Sequence, residues 1–350
     1  MATDLPIVLY HYDLSPYARR LVWYLNLRRI QYSECVSART MPRPDVALLG
    51  VSYRRIPIMS IGRDVYVDTR LILQKLEALF PPSGEHPGIS SAHAGLGAEG
   101  TALEQLLSSR VTDGGIFLCG TVCLPPDIFG DPAFQRDRAA LMGIDLDKPG
   151  SISPFAPELR AKQRPEALAT MRSWILWLEE GVLSDGRPWI SNAGNTGPSL
   201  ADIEAVWVLH WVAAALPSEV LGPESAPKVN SWLKRFSRSV KDAGEKKPKV
   251  QTLKGEQAAK MIFNAHFAEP EGDVLGSDPF VVAEGLQKGA AVKVWPSDYG
   301  SGHKDSGSLV SVDKSEYVVK KTGQFGTMRL HAPRHGYKMA KARESATPKI

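Results

Sequence analysis

The residues whose types and spacing suggest chemistry fall within the first seventy positions of the chain. Ser15-Pro16-Tyr17 puts a hydroxyl before a proline. That pair starts a helix, because the hydroxyl caps free backbone N–H groups and proline fits the first turn. Asp68-Thr69 is a second helix start, an acid followed by a hydroxyl. Free N–H groups and the helix dipole favour an anion at such a place. Between these two lies Ile56-Pro57, whose proline holds Ile56 in extended backbone. Arg54 and Arg55 precede it, and a guanidinium can grip a carboxylate through two parallel hydrogen bonds. Neighbours in an extended stretch face opposite ways, so one arginine is expected at the site and the other at the surface or an interface. Tyr10, Tyr12 and Tyr17 add phenol donors, and His11 stands beside them with no visible base partner. Each feature also has a plain structural alternative: a helix cap, a tight turn or a solvated charge.

The surrounding pattern supplies elements to position these groups. Pro6 to Tyr10 is a short apolar run of buried-strand type, and Gln31 to Val36 is a second strand. The helix after Ser15 carries Ala18, Leu21, Val22 and Leu25 at three-to-four spacing. Ile56 to Met59, the turn Gly62-Arg63-Asp64 and Val65 to Val67 predict a hairpin. A helix over 69–79 follows, with Leu71, Ile72, Leu76 and Leu79 on its apolar face. Breaker-rich sequence from Pro81 to Gly97 marks a boundary. Helical periodicity then dominates from about Thr101 to Asp242. Its best-marked start is Ser199 to Asp202, a capping-box pattern ahead of Val206, Trp207, Leu209, His210 and Val212. Trp174, Trp177, Trp207 and Trp211 are expected in the core. After a short helix near 255–264 come β-like pieces: Ala291 to Trp295, Leu309 to Val312, Tyr317 to Val319 and Met328 to Leu330. Their close spacing predicts a small barrel or curled sheet. The fold class is therefore multidomain, with an α/β unit at 1–82, an all-helical unit at 83–245 and a β-rich extension with a basic tail at 246–350.

Composition sets the class. The 350 residues exceed one ordinary core, and 43% hydrophobic with 23% charged is ordinary for a globular chain. No apolar run approaches the ~18 residues that span a bilayer, and Met1 to Pro6 carries no secretory pattern. Three cysteines, Cys35, Cys119 and Cys123, are too few for a disulfide framework, which fits a reducing, cytoplasmic location. Cys35 reads as a buried, inert thiol. Cys119 and Cys123 stand four apart with no histidine at suitable spacing, so packing is preferred to a metal. His303, His331 and His335 form no cluster in the sequence. From Lys246 onward, 17 Lys and Arg face 11 Asp and Glu. Lys320, Lys321, Arg329, Arg334, Lys338, Lys341, Arg343 and Lys349 read as a solvated edge and loose tail, with nucleic acid as the alternative partner.

The strand feeding Ser15-Pro16-Tyr17, the Ile56-Pro57 step before a hairpin and Asp68-Thr69 at the next helix start together resemble the glutathione transferases. The resemblance covers roughly residues 5–240 and includes the Ser199 to Asp202 box. It implies a thioredoxin-like N-terminal domain, a helical second domain, a homodimer and glutathione as co-substrate. The β-rich tail resembles an extension found on some fungal members. The resemblance implies that Ile56 N–H and C=O pair with the cysteinyl backbone of glutathione, as an added strand would. It also implies that Thr69 meets the γ-glutamyl carboxylate, that Asp68 meets the ammonium, and that Arg54 or Arg55 meets the glycyl carboxylate. An electrophile pocket is expected near Asp13, Leu14, Ile116 and Cys119.

A free thiol has a pKa near 8.5, so little is thiolate at neutral pH. A hydroxyl donor and a helix N-terminus would together favour thiolate by ~1.5–3 kcal/mol, or about one to two pKa units. Ser15 is the first candidate for that donor, with Tyr12, Tyr10 and Tyr17 as rivals; Tyr17, on the helix, is expected to point away. Related proteins with cysteine at the Ser15 position form mixed disulfides, and serine there removes that chemistry. The expected function is addition of glutathione thiolate to an unsaturated or otherwise electrophilic small molecule. Conjugation and cis–trans isomerisation share the same site, in detoxification or secondary metabolism. The alternative is a non-catalytic module of the same fold with a basic, RNA-binding tail.

Overall fold

Strand β1 (Ile7–His11) is buried at every position, as a strand covered on both faces must be. Ser15 ends the following turn, and its Oγ accepts the Ala18 N–H at 3.2 Å to cap α1 (Pro16–Leu27). The helix returns the chain so that β2 (Ser33–Val36) runs parallel to β1, with Val8 opposite Ser33 and His11 opposite Val36. After the single turn α2 (Pro44–Ala47), β3 (Ile58–Ile61) and β4 (Asp64–Val67) form the expected hairpin, β3 antiparallel to β1. Asp68, at φ 72°, caps α3 (Thr69–Leu79). This β-α-β and β-β-α order is the thioredoxin-like arrangement. The computed structural model describes residues 4–191 and 197–342.

Seven α-helices follow among the described residues: α4 (Gly97–Thr112), α5 (Ile116–Cys123), α6 (Pro132–Leu141), α7 (Pro157–Leu176), α8 (Leu200–Val212), α9 (Ser218–Leu221) and α10 (Pro227–Glu245). Helix α8 is buried at all but two of its positions, His210 and Trp211. Its capping box forms as read: Ser199 N–H and Oγ–H donate to the Asp202 carboxylate at 2.8 and 2.6 Å. Asp202 also accepts from Ile190 N–H at 2.9 Å and Trp232 Nε1–H at 2.7 Å, so one acid joins three segments. Trp174 and Trp207 are core residues, but Trp177 is 47% exposed and Trp211 half-buried. Trp177 begins a π-helical turn at the end of α7, which changes its facing and leaves it stacked on Trp174.

The C-terminal strands do not close on one another as a barrel. β5 (Gln251–Thr252) pairs in parallel with β2, and α11 (Gly255–Phe263) and α12 (Pro279–Glu284) follow. Then come β6 (Ala291–Pro296), β7 (Asp305–Val312), β8 (Glu316–Gly323), β9 (Gly326–Pro333) and β10 (Tyr337–Lys341). β9 lies parallel to β4, so the described strands make one ten-stranded sheet in the order β10-β6-β7-β8-β9-β4-β3-β1-β2-β5. The physical reason is that β4 and β2 would otherwise be bare edges of the N-terminal sheet. The extension covers both. Alternation in the strands then divides the core: Ile7, Leu9, Met59 and Tyr66 face α1, α3 and the long helices. Val8, Tyr10, Ile58, Val65 and Val67 join α2, α11 and the extension on the other face.

Candidate functional site

Ser15 is 2% exposed and sits where β1 hands over to α1, its N–H donating to the Tyr12 carbonyl at 3.0 Å. Its oxygen serves the Ala18 cap, and its hydroxyl proton has no acceptor among the described residues. Tyr10 lies opposite Ile58, so continuing that antiparallel register brings Ile56 opposite Tyr12. Ile56-Pro57 is cis, and no described residue hydrogen-bonds the Ile56 N–H or C=O. The third part is the start of α3. Asp68 accepts the Arg70 N–H at 2.9 Å, while Thr69, 5% exposed, accepts from Arg20 Nη1 at 3.0 Å through Oγ1. Burial acts to raise the Asp68 carboxyl, but Arg70, and beyond it Arg20, outweigh this and hold it below the usual carboxylate range.

The phenols separate by position. Tyr10 is fully buried on the sheet face opposite α1, which removes it from Ser15's side. Tyr17 does not point away, as its helix position suggested. Its ring packs on Trp207 and Phe117 at 4.7 and 4.9 Å, and burial pushes its phenol up while the charges of Arg55 and Asp68 act on it. Tyr12 is half-buried and accepts from Arg138 Nη2 at 2.9 Å. His11 does have a carboxylate partner, Glu34, at 2.9 Å.

The two arginines depart most from expectation. Arg54 is buried and donates to the Asp137 carboxylate of α6 at 2.7 Å. Arg55 is bound by Asp298 and by the Tyr299 carbonyl, both from the loop before β7. Each guanidinium is thus engaged by the chain itself, Arg54 through Nη2 and Arg55 through Nε and Nη2. Of the pocket candidates, Asp13 and Leu14 are exposed beside Ser15, the latter by 57%. Cys119 is half-buried, while Ile116 is fully buried in the core and lines no open cleft. Cys35 is buried, and burial pushes its thiol up to about 12, consistent with an inert residue.

Several residues around the site were not singled out by sequence. Arg20, fully buried on α1, donates to Thr69, to Ser108 of α4 at 3.0 Å and to Glu204 of α8. A charge beside Leu21 on an apolar helix face was its only signal, because Glu204 lies 184 positions away. Behind it, burial pushes the Glu104 carboxyl up to about 7 despite bonds from Ser91. Tyr337 of β10 stacks on Tyr53 with ring centroids 6.2 Å apart, which places the extension against the segment leading to Ile56.

A second polar cluster fills the seam between β4 and β9. Asp64 accepts from Arg329 Nε at 2.6 Å and Nη2 at 2.9 Å. His331 contacts Asp64 Oδ1 at 3.0 Å through Nε2 and Glu316 Oε2 at 3.1 Å through Nδ1. With a carboxylate at each ring nitrogen, the imidazolium form donates both bonds. Ligand atoms of Glu269, Glu316 and His331 lie within 4.8 Å of one another, a spacing that could hold a metal ion and that the sequence did not disclose. The Lys75 ammonium, however, lies 2.6 Å from both glutamates and serves them as a cation. Three of the tail's basic residues are paired within the fold. Lys321 pairs with Asp305 at 2.9 Å, Arg329 with Asp64 and Arg334 with Asp278, while Lys320, Lys338 and Lys341 are exposed. Arg343 and Lys349 lie outside the described residues.

Residues 9–84 match the family model described as Glutathione S-transferase, N-terminal domain. Residues 120–245 match one described as a domain of unknown function (DUF7962). No curated protein matches the chain. A GST-like protein from Pseudomonas syringae superposes with a TM-score of 0.65 at 22% identity, over 96% of this chain and 100% of its own. The β-rich extension is thus part of the shared fold and is not confined to fungal proteins. Rice GST1, solved in complex with glutathione, gives a TM-score of 0.47 at 17% identity over 74% of this chain and 95% of its own. A beta-etherase from Sphingobium sp. gives 0.46 at 16% identity, over 69% and 100%. Residues 9–84 thus match a glutathione S-transferase N-terminal domain, in a fold shared over nearly the whole chain with the Pseudomonas syringae protein.

Proposed function

We propose that the chain binds glutathione between the starts of α1 and α3 and presents its thiolate to an electrophilic small molecule. The observation that carries this reading is the set of groups left without protein partners there: the Ser15 hydroxyl proton and both backbone groups of Ile56. An extended peptide laid beside Ile56 would complete its hydrogen bonds. The γ-glutamyl carboxylate then meets the N-terminus of α3 and the Thr69 hydroxyl, whose oxygen already serves Arg20. Asp68, kept ionised by Arg70, takes the ammonium. Tyr17 flanks this end. The sulfur falls to Ser15, where a hydroxyl donor and the start of α1 favour its anion.

Chemically, the thiolate donates its electron pair to an electrophilic carbon to form a C–S bond. In conjugation, a leaving group departs or a proton neutralises the resulting carbanion, and the thioether persists. In isomerisation, addition to an activated alkene is followed by rotation about the new single bond, and elimination returns the thiolate. The exposed Leu14 and Asp13 and the half-buried Cys119 offer the wall for such a substrate. A cytoplasmic homodimer acting in detoxification or secondary metabolism fits the same reading.

Calorimetric titration with glutathione tests the first step, and one molecule bound per chain is expected. Absence of binding would turn the reading to a non-catalytic module. Mass analysis of a turnover mixture separates the two outcomes, because only conjugation consumes glutathione.

A further inference from the structure

Where the end of α5 meets the start of α7, a cavity of about 350 Å³ opens that shares no residue with the candidate site. Its walls are apolar at Val122, Leu124, Pro125 and Ala215 and cationic at Arg160 and Arg164. Arg160 is 4% exposed, with its guanidinium over the Phe129 ring at 4.5 Å. It donates to the carbonyls of Leu124 at 2.7 Å, Thr121 at 3.1 Å and Val122 at 3.3 Å. Arg164 donates to the carbonyls of Cys123 at 2.6 Å and Ala215 at 3.3 Å. These bonds cap the last turn of α5, which accounts for part of the arrangement.

They do not account for the charge. A helix C-terminus supplies roughly half a negative charge, and two guanidinium groups stand against it. Among the described residues neither has a carboxylate partner, and the groups acting on Arg160 are Arg164 and the Cys123 thiol. The Arg160 Nε–H, deeply buried, has no hydrogen-bond partner. Of the arginines buried elsewhere, Arg20, Arg28, Arg54 and Arg329 each meet a carboxylate, whereas Arg43 donates to the carbonyls of Ala38, Arg39 and Arg54. A buried charge without a counterion is costly, and here it borders a cavity of ligand size.

We propose that this cavity binds an organic monocarboxylate, its charge meeting Arg160 and Arg164 and its apolar tail lying along Val122, Leu124, Pro125 and Ala215. The test is calorimetry of the full chain with octanoate and with octan-1-ol, which share a tail and differ in charge. Octanoate should saturate one site and bind at least about tenfold more tightly than the alcohol, as a charge-assisted pair requires. Arg164→Gln, which keeps a donor for the α5 carbonyls, should weaken octanoate by about tenfold and leave the alcohol unchanged; Ser15→Ala should change neither. Equal affinity for acid and alcohol in the unaltered protein would overturn the proposal. So would octanoate binding that Arg164→Gln leaves within about twofold, or no saturable binding at all.

Discussion

At the seam between β4 and β9, three carboxylates (Asp64, Glu269 and Glu316) face three cations (Lys75, Arg329 and His331), and each has partners. Around Ser15 and Ile56, by contrast, a hydroxyl proton and two backbone groups are left open. Both regions border the same hairpin and the same helix α3. The difference shows how a fold separates two uses of polarity. A network closed on itself fixes how two parts of a chain join, since removing one member strands the others. A network left incomplete at a cleft binds whatever completes it.

The most forceful way to break this comparison is Asp64→Ala. It leaves Arg329 and His331 buried beside each other without their shared anion. A stability loss of about 3–5 kcal/mol is expected, read as a shift in urea denaturation. A loss below about 1 kcal/mol would mean that apolar packing alone holds the extension to β4. The counterpart at the cleft is Ser15→Ala, which should cost only about 1 kcal/mol of stability as a lost cap. Its effect on activity should be larger. With an activated aryl halide as electrophile, kcat/KM should fall roughly tenfold and the bound thiol's pKa should rise by about one unit, the start of α1 remaining in place. Unchanged activity would remove Ser15 from the thiolate.

The two regions also differed in how far the sequence disclosed them. Ser15-Pro16, Ile56-Pro57 and Asp68-Thr69 were legible because caps, prolines and short strands act through neighbours in the chain. The Ser199 to Asp202 box was legible for the same reason, though its bonds to Ile190 and Trp232 were not. The seam was invisible. Asp64 read as part of a turn and Arg329 as a tail charge, and their pairing spans 265 positions. The binding of Arg54 by Asp137 and of Arg55 by Asp298 was hidden in the same way. Periodicity found β6 to β9 but not their attachment to β4, because alternation specifies a strand's faces and not its edge partner.

The seam carries a pH signature on the alkaline side. Burial acts to lower the His331 pKa, but its bonds to Asp64 and Glu316 outweigh this and raise it above the ordinary 6.5. Its stabilisation is therefore complete below about 6.5 and is lost as pH rises through the raised value. For Asp64 and Glu316, burial acts upward and is outweighed by His331 together with Arg329 or Lys75, so both sit below the usual carboxylate range. Their contribution is present above about pH 4 and is lost as pH falls through the lowered values. Resistance to urea should thus be greatest between about pH 4.5 and 6.5 and decline on the alkaline side. The effect should be smaller than that of Asp64→Ala, and His331→Gln should flatten the alkaline decline. An unaltered slope in that variant would place the titrating group elsewhere.

The smallest expected effect sharpens the assignment at the cleft. Tyr12 and Ser15 both carry hydroxyls at the turn into α1, and sequence alone did not separate them. The structure gives each oxygen a different neighbour: Ser15 Oγ caps α1, whereas Tyr12 Oη accepts from Arg138, whose other arm holds Asp137 at 2.6 Å. Asp137 in turn binds Arg54. The Tyr12 hydroxyl is therefore anchored in an ion network that joins α6 to the segment before Ile56, and its loss should act on that joint before it acts on sulfur. Tyr12→Phe should leave the bound thiol's pKa unchanged and lower kcat/KM by no more than about threefold, the cost of one modest hydrogen bond. If instead Tyr12→Phe raises the thiol's pKa while Ser15→Ala does not, the donor is the phenol. The open hydroxyl of Ser15 would then be only the end of a helix.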